Sequence, residues 1–197
     1  MTTELNKRKR VGILGGSFNP IHYGHLVMAD QVKHELALDE CYLMPTYTPP
    51  HIDKKTTLSS DLRLDMLELA VAGQDSLKIE TCELDRGGVS YTYDTMAELV
   101  EKNSNTDYFF IIGGDMVDYL PKWYRLEDLL ELVTLVAVKR PGYGESSSYP
   151  VTWVEAPLMS ISSSLIRNHI SEGKSVNYFL PENVLNYIQD KGLYQDV

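Results

Sequence analysis

Cysteine is scarce in this 197-residue chain: Cys41 and Cys82 are the two it has. They are not spaced as CxxC, so a thiolate metal site or a dithiol redox motif has no pattern to rest on. Both fall in apolar, strand-like stretches and read as buried, reduced thiols of a cytoplasmic protein. Positive charge is also in deficit, with 18 Lys and Arg against 28 Asp and Glu and a formal net charge of −10. Coating DNA phosphates needs a surplus of cations, so the balance argues against a general DNA coat and leaves a local phosphate pocket open. Long apolar runs are missing as well. The longest, around 132–138, is broken by Thr134 and falls short of the roughly 18 residues of a membrane span. The opening MTTELNKRKR has no apolar stretch before Val11 and does not read as a secretory signal. Its cations Lys7, Arg8, Lys9 and Arg10 could suggest an RNA contact, but a flexible, solvated tail over 1–9 is the plainer expectation.

What is present is globular: 43% hydrophobic and 23% charged residues, enough for one domain over 10–197. Apolar runs predict strands over 11–14, 41–44, 77–82, 108–112, 134–138 and 152–154. Leu26, Ala29, Val32 and Leu36 recur at helical spacing, as do Leu62, Met66, Leu69 and Ala70 behind a Ser59-Ser60-Asp61 cap. Further helices are predicted around 92–103, over 126–132, from Ser162, and after Pro181, with Val184, Leu185 and Ile188 inward and Gly192 past the end. Strands that are apolar throughout and alternate with helices imply an α/β, doubly wound, Rossmann-like parallel sheet of five to six strands. Helices would cover both faces, with a C-terminal helical segment.

In such a sheet, ligands lie beyond the carboxyl ends of the strands, where the winding reverses. In the common order 3-2-1-4-5 that point is between the first and fourth strands, and both end in glycine pairs: Gly15-Gly16 and Gly113-Gly114. The loop GGSFNPIHYGH over 15–25 is neither GxGxxG nor GxxxxGK[ST]. It answers the same physical problem, because glycine lets backbone N–H groups approach a phosphate and His22 and His25 open a helix whose dipole favours anions. Three readings of this His pair stay open at this point: a metal pair, structural histidines, or donors to a triphosphate. Far downstream, Ser162, Ser163 and Ser164 open another helix, with Arg167 one turn on. Hydroxyls, free N–H groups and a guanidinium would converge there, as polyphosphate binding needs; a plain serine cap with a solvated arginine is the alternative.

The loop resembles the (T/S)FxPxHxGH signature of the HxGH nucleotidyltransferases, and the stretch from Ile161 to Arg167 is similar to their ISSTxIR element. Five further elements resemble, in order, the bacterial nicotinate-nucleotide adenylyltransferases: Pro49-Pro50-His51, Ser90-Tyr91-Thr92, FIIGGDMVDYLPKWY from Phe110 to Tyr124, Lys139-Arg140-Pro141-Gly142, and Leu180-Pro181 through Gly192-Leu193-Tyr194. The resemblance implies adenylyl transfer from ATP to nicotinate mononucleotide, giving nicotinate adenine dinucleotide and pyrophosphate in NAD biosynthesis, with Mg²⁺ carried by ATP. It implies catalytic roles for His22, His25 and Arg167. It assigns ATP contacts to Gly15, Gly16, Ser17, Phe18, Gly113, Asp115, Arg140, Ile161, Ser163 and Ser164 beside those three. Thr92, Trp123, Tyr124 and His51 would hold the nicotinate nucleotide, with Trp123 on the ring and backbone N–H groups of Thr92 and Tyr124 on its carboxylate. For Trp123, packing of its loop onto the sheet is the alternative; for Asp115, it is a helix N-cap. His51, Lys54 and Lys55 lie in a long loop that could close over substrate.

Two departures stand out. Position 19 is Asn where relatives often have Asp, and Ser17 and Ser164 replace a common Thr. A pantetheine-phosphate adenylyltransferase, or a non-catalytic nucleotide sensor on the same scaffold, are the competing readings. Small-molecule substrates, no nucleic acid and no membrane are the expected partners, and a homo-oligomer is left open.

Overall fold

The computed structural model describes residues 7–50, 57–139, 147–157 and 159–195. Six parallel strands form one sheet in the order β3-β2-β1-β4-β5-β6: β1 is Lys9–Gly16, β2 Glu40–Pro45, β3 Lys78–Ile79, β4 Thr106–Gly113, β5 Val133–Val138 and β6 Val151–Val154. The reversal falls between β1 and β4, and the register Leu14↔Ile111 sets the glycine pairs at their carboxyl ends side by side.

Pleating sends alternate side chains to opposite faces, so the apolar strands feed two cores. Leu14, Leu43, Ile111, Val136 and Val138 face one cluster with Met28, Val32, Met66, Ile166, Val184 and Ile188. These come from helices α1 (Tyr23–Glu35), α2 (Ser60–Val71), α6 (Ser163–Ser171) and α7 (Glu182–Asp190). Val11, Ile13, Phe110, Ile112, Leu135 and Ala137 face the other cluster, with Met96, Leu99, Leu120 and Leu129. That side is covered by α3 (Cys82–Arg86), α4 (Thr92–Lys102), the 3-10 segment Gly114–Lys122 and α5 (Leu126–Leu132).

Three sequence expectations are corrected. The strand over 77–82 shrinks to Lys78–Ile79, because the Glu80 carboxylate accepts from the Cys82 backbone N–H at 3.0 Å and the chain turns into α3. Cys82 therefore opens a helix instead of lying in a strand, though both cysteines are buried and free. Burial pushes both thiols up to about 12, away from thiolate chemistry at neutral pH. On α2 the buried stripe is Arg63, Met66, Leu67 and Ala70; Leu62 and Leu69 are only half-buried.

The end of the expected tail is held to the sheet. Arg8 pairs with Asp107 at 2.5 Å and donates to the Ser104 and Thr106 carbonyls, and Lys9, already in β1, pairs with Glu40. Arg10 bonds Asp39 through its backbone N–H and the Leu36 carbonyl through its guanidinium. These cations are engaged within the fold. Among the described residues, no helix is long and apolar enough to cross a membrane.

Candidate active site

Gly15 and Gly16 end β1 with room for little else. A Cβ on Gly15 would lie 3.0 Å from the Phe110 ring, and one on Gly16 3.2 Å from the Phe18 ring. The chain then turns through Phe18 at φ 46°, a left-handed value that is costly for an aromatic residue. Phe18 is buried, and its ring stands edge-on to His25 at 5.0 Å and 79°. Any contact from Phe18 to a nucleotide would therefore have to come from its backbone.

His22 is the N-cap of α1, and its backbone carbonyl accepts from His25 N–H at 3.0 Å. The two imidazoles stack with centroids 3.7 Å apart at 26°. Gly24 makes this possible, since a Cβ there would lie 3.0 Å from the His22 ring. Among the described residues, no group of three or more His, Cys, Asp or Glu side chains is placed to hold a metal ion.

The serine helix docks directly on this loop. Ser163 Oγ donates to the Pro20 carbonyl at 2.9 Å, and Arg167 Nη1 donates to the Asn19 carbonyl at 2.8 Å. Arg167 Nη2 also reaches Ser164 Oγ at 3.2 Å. The three serines divide the labour: Ser162 Oγ caps α6 by accepting from Leu165 N–H, Ser163 fastens the loop, and the exposed Ser164 sits beside the guanidinium. The Ile161 carbonyl is 3.6 Å from where a Gly24 Cβ would be. Loop, hydroxyls and guanidinium therefore adjoin at the end of the sheet where Gly113 also lies. Asp115 is in the first turn of the 3-10 segment, whose N-cap is Gly113, so Asp115 is not the cap.

On the other side of the strand ends, Trp123 is half-buried and edge-on to Phe110 at 6.0 Å and 82°. Its backbone N–H donates to the Leu120 carbonyl at 2.9 Å. The packing alternative for Trp123 thus describes one edge of the indole. Tyr124, half-exposed, meets Tyr91 with centroids at 4.8 Å, which places it next to the start of α4, where Thr92 is the first residue. Backbone N–H groups in a first helical turn have no intrahelical acceptor. His51 and Arg140, like Lys54 and Lys55, lie outside the described residues.

Three residues shape the site from behind, and two of them, Arg63 and Glu83, do not stand out in the sequence. Arg63 is 1% exposed and donates to the carbonyls of Leu58, Ser17 and Tyr47 at 3.1, 2.8 and 3.3 Å. Its signal was available: a cation at 63, in helical step with Met66, Leu67 and Ala70, sits on an apolar stripe. Asn19, 3% exposed, accepts through Oδ1 from Tyr194 Oη at 2.8 Å and from Leu58 N–H at 3.4 Å. These bonds tie the loop to Leu58 and to the far end of the chain. Glu83, buried and with its pKa raised by that burial, accepts from Thr95 Oγ1 at 2.9 Å behind the start of α4.

Residues 13–169 match the family described as cytidylyltransferase-like. A protein of Enterococcus faecalis (strain ATCC 700802 / V583) named "Probable nicotinate-nucleotide adenylyltransferase" is 63% identical over 189 residues, spanning 96% of this chain and 86% of its own length. One of the same name from Streptococcus pneumoniae serotype 4 is 59% identical over 188 residues, spanning 95% of this chain and 90% of its own. The structure of "Plasmodium falciparum nicotinic acid mononucleotide adenylyltransferase complexed with NaAD" superposes with a TM-score of 0.80 at 22% identity, over 94% of this chain and 97% of that one, and shares its fold. The chain belongs to the cytidylyltransferase-like family.

Proposed function

We propose that the chain is a nicotinate-nucleotide adenylyltransferase, moving the adenylyl group of ATP onto nicotinate mononucleotide. The observation that carries this reading is the joining of the His22–His25 loop to the Ser163–Arg167 helix through the Pro20 and Asn19 carbonyls. Its similarity to the Enterococcus and Streptococcus proteins supports the acceptor.

In the proposed reaction a phosphate oxygen of nicotinate mononucleotide attacks the α-phosphorus of ATP. The bond from that phosphorus to the bridging oxygen breaks, and pyrophosphate leaves with its electron pair. The attacking group is already an anion at neutral pH, so no strong base is required. Alignment and charge neutralisation do the work, as in phosphoryl transfer generally. His22 and His25 donate to the α-phosphate and the departing pyrophosphate. Ser164 and Arg167 hold the outer phosphates, while Ser163 keeps the loop in place. Mg²⁺ would arrive with the triphosphate and keep most of its waters.

Trp123 takes the nicotinate ring, and the N–H groups of Thr92 and Tyr124 take its carboxylate. A carboxylate accepts from both donors, whereas an amide must turn its NH₂ toward one of them, leaving a buried donor unmatched. Mixing the protein with ATP, Mg²⁺ and either the acid or the amide mononucleotide tests the reading. The dinucleotide and pyrophosphate should form in equal amounts with the acid; no product with either mononucleotide overturns it.

A further inference from the structure

We propose that Arg63 is a positioning residue for the transfer step, one that fixes the distance between the two substrate sites. The proposal rests on the adenylyl-transfer reading above. Arg63 is buried, and its three bonds go to three different segments. Nη1 holds Ser17, in the loop after β1 on the ATP side. Nη2 holds Tyr47, in the loop after β2, and Nε holds Leu58, at the approach to α2.

From Tyr47 the chain of bonds continues to the nicotinate side. Tyr47 N–H donates to Ser90 Oγ at 3.2 Å, Ser90 N–H donates to the Thr48 carbonyl at 3.0 Å, and Thr48 and Val89 form a parallel bridge. Ser90 is two residues before Thr92. Gly16 adds a second strut, its carbonyl accepting from Thr46 N–H at 2.9 Å. A continuous set of hydrogen bonds thus runs from Ser17 through Arg63 and Tyr47 to Ser90, two residues before α4.

The chemistry of the residue argues for geometry over stability. No carboxylate among the described residues pairs with Arg63, and burial lowers its pKa. Burying a cation on backbone carbonyls alone is an expensive way to fill an apolar stripe, where methionine or leucine would pack at no electrostatic cost. What the planar guanidinium supplies, and a point-charge ammonium cannot, is three donors at fixed angles holding three carbonyls in one arrangement. Each substrate binds largely within its own half, so a loosened link should spare the two affinities and impair the step that needs both halves in register.

The test compares wild type, Arg63→Lys, Arg63→Ala and Ser90→Ala, well below their melting temperatures. Arg63→Lys should lower kcat by roughly tenfold to a hundredfold, with KM for each substrate within about threefold of wild type. Guanidinium at non-denaturing concentration should restore part of the kcat of Arg63→Ala, and Ser90→Ala should show the same kcat loss in milder form. A purely structural role predicts lower melting temperatures with wild-type kcat in the folded fraction and no rescue. That result overturns the proposal, and if the Arg63 variants do not fold, Ser90→Ala with unaltered kcat overturns it as well. Absence of dinucleotide from the wild type overturns the underlying reading, which is a different outcome from active variants.

Discussion

Arg167 Nη1 lies 2.8 Å from the carbonyl oxygen of Asn19, a residue 148 positions earlier in the chain. The bond makes the loop after β1 and the start of α6 a single unit. A guanidinium hydrogen-bonded to the backbone beside two histidines is already oriented before any anion arrives, and such preorganisation is where charge stabilisation is most effective.

The stacked imidazoles should dominate the chemical step. His22→Ala and His25→Ala are each expected to lower kcat by about 10²–10³-fold, the usual loss when a preorganised donor to a developing charge is removed. Pyrophosphate release reports the rate, and circular dichroism should show the fold intact. Full activity in both variants would remove the pair from the mechanism.

Gly24 offers a subtler probe. A methyl group there would meet the His22 ring at 3.0 Å, so the imidazole must shift by a few tenths of an ångström. Gly24→Ala should reduce kcat by roughly tenfold while leaving thermal stability nearly unchanged, because a small misplacement costs rate more than folding energy. Steady-state kinetics beside a melting curve separates the two effects.

Selection of acid over amide should reside at Thr92, Trp123 and Tyr124. Wild type is expected to favour nicotinate over nicotinamide mononucleotide by about 10²-fold or more in kcat/KM, since an unmatched buried donor costs about 1–3 kcal/mol on top of the lost charge-assisted bond. Trp123→Ala should raise KM for the pyridine nucleotide and leave KM for ATP near wild type. Equal use of acid and amide would contradict the two-donor geometry.

Stability should carry a specific acid dependence through Glu40. Lys78, Lys9 and the Tyr42 hydroxyl hold its carboxyl down at about 2, against an ordinary 4.5. Its contribution is fully present above 4.5 and is lost as pH falls from there toward 2. Glu40→Gln should destabilise the protein by about 1–2 kcal/mol at neutral pH, allowing for solvent screening of a partly exposed pair. Denaturant titrations of both proteins should converge near the acid end.

The parallel sheet and the starts and ends of many of its elements were readable because they rest on local rules. Uniformly apolar strands mean parallel pairing, glycine pairs end strands, and serines before a helical run mark a start. Long-range satisfaction of polar groups was not readable. Glu80 curtails β3 by accepting from Cys82 N–H, which no periodicity announces. The helical step of Arg63 with Met66, Leu67 and Ala70 points to burial, but not to the three carbonyls from three segments that receive it. The serine cluster looked uniform, yet only the contacts separate the cap, the fastening and the exposed hydroxyl. Asn19 finds its partner in Tyr194, 175 residues away.

That last bond has a temporal consequence. The loop after β1 leaves the ribosome early, but two of its anchors, Arg167 and Tyr194, are translated more than a hundred residues later. A nascent chain therefore carries both histidines more than a hundred residues before either of these anchors of their loop exists.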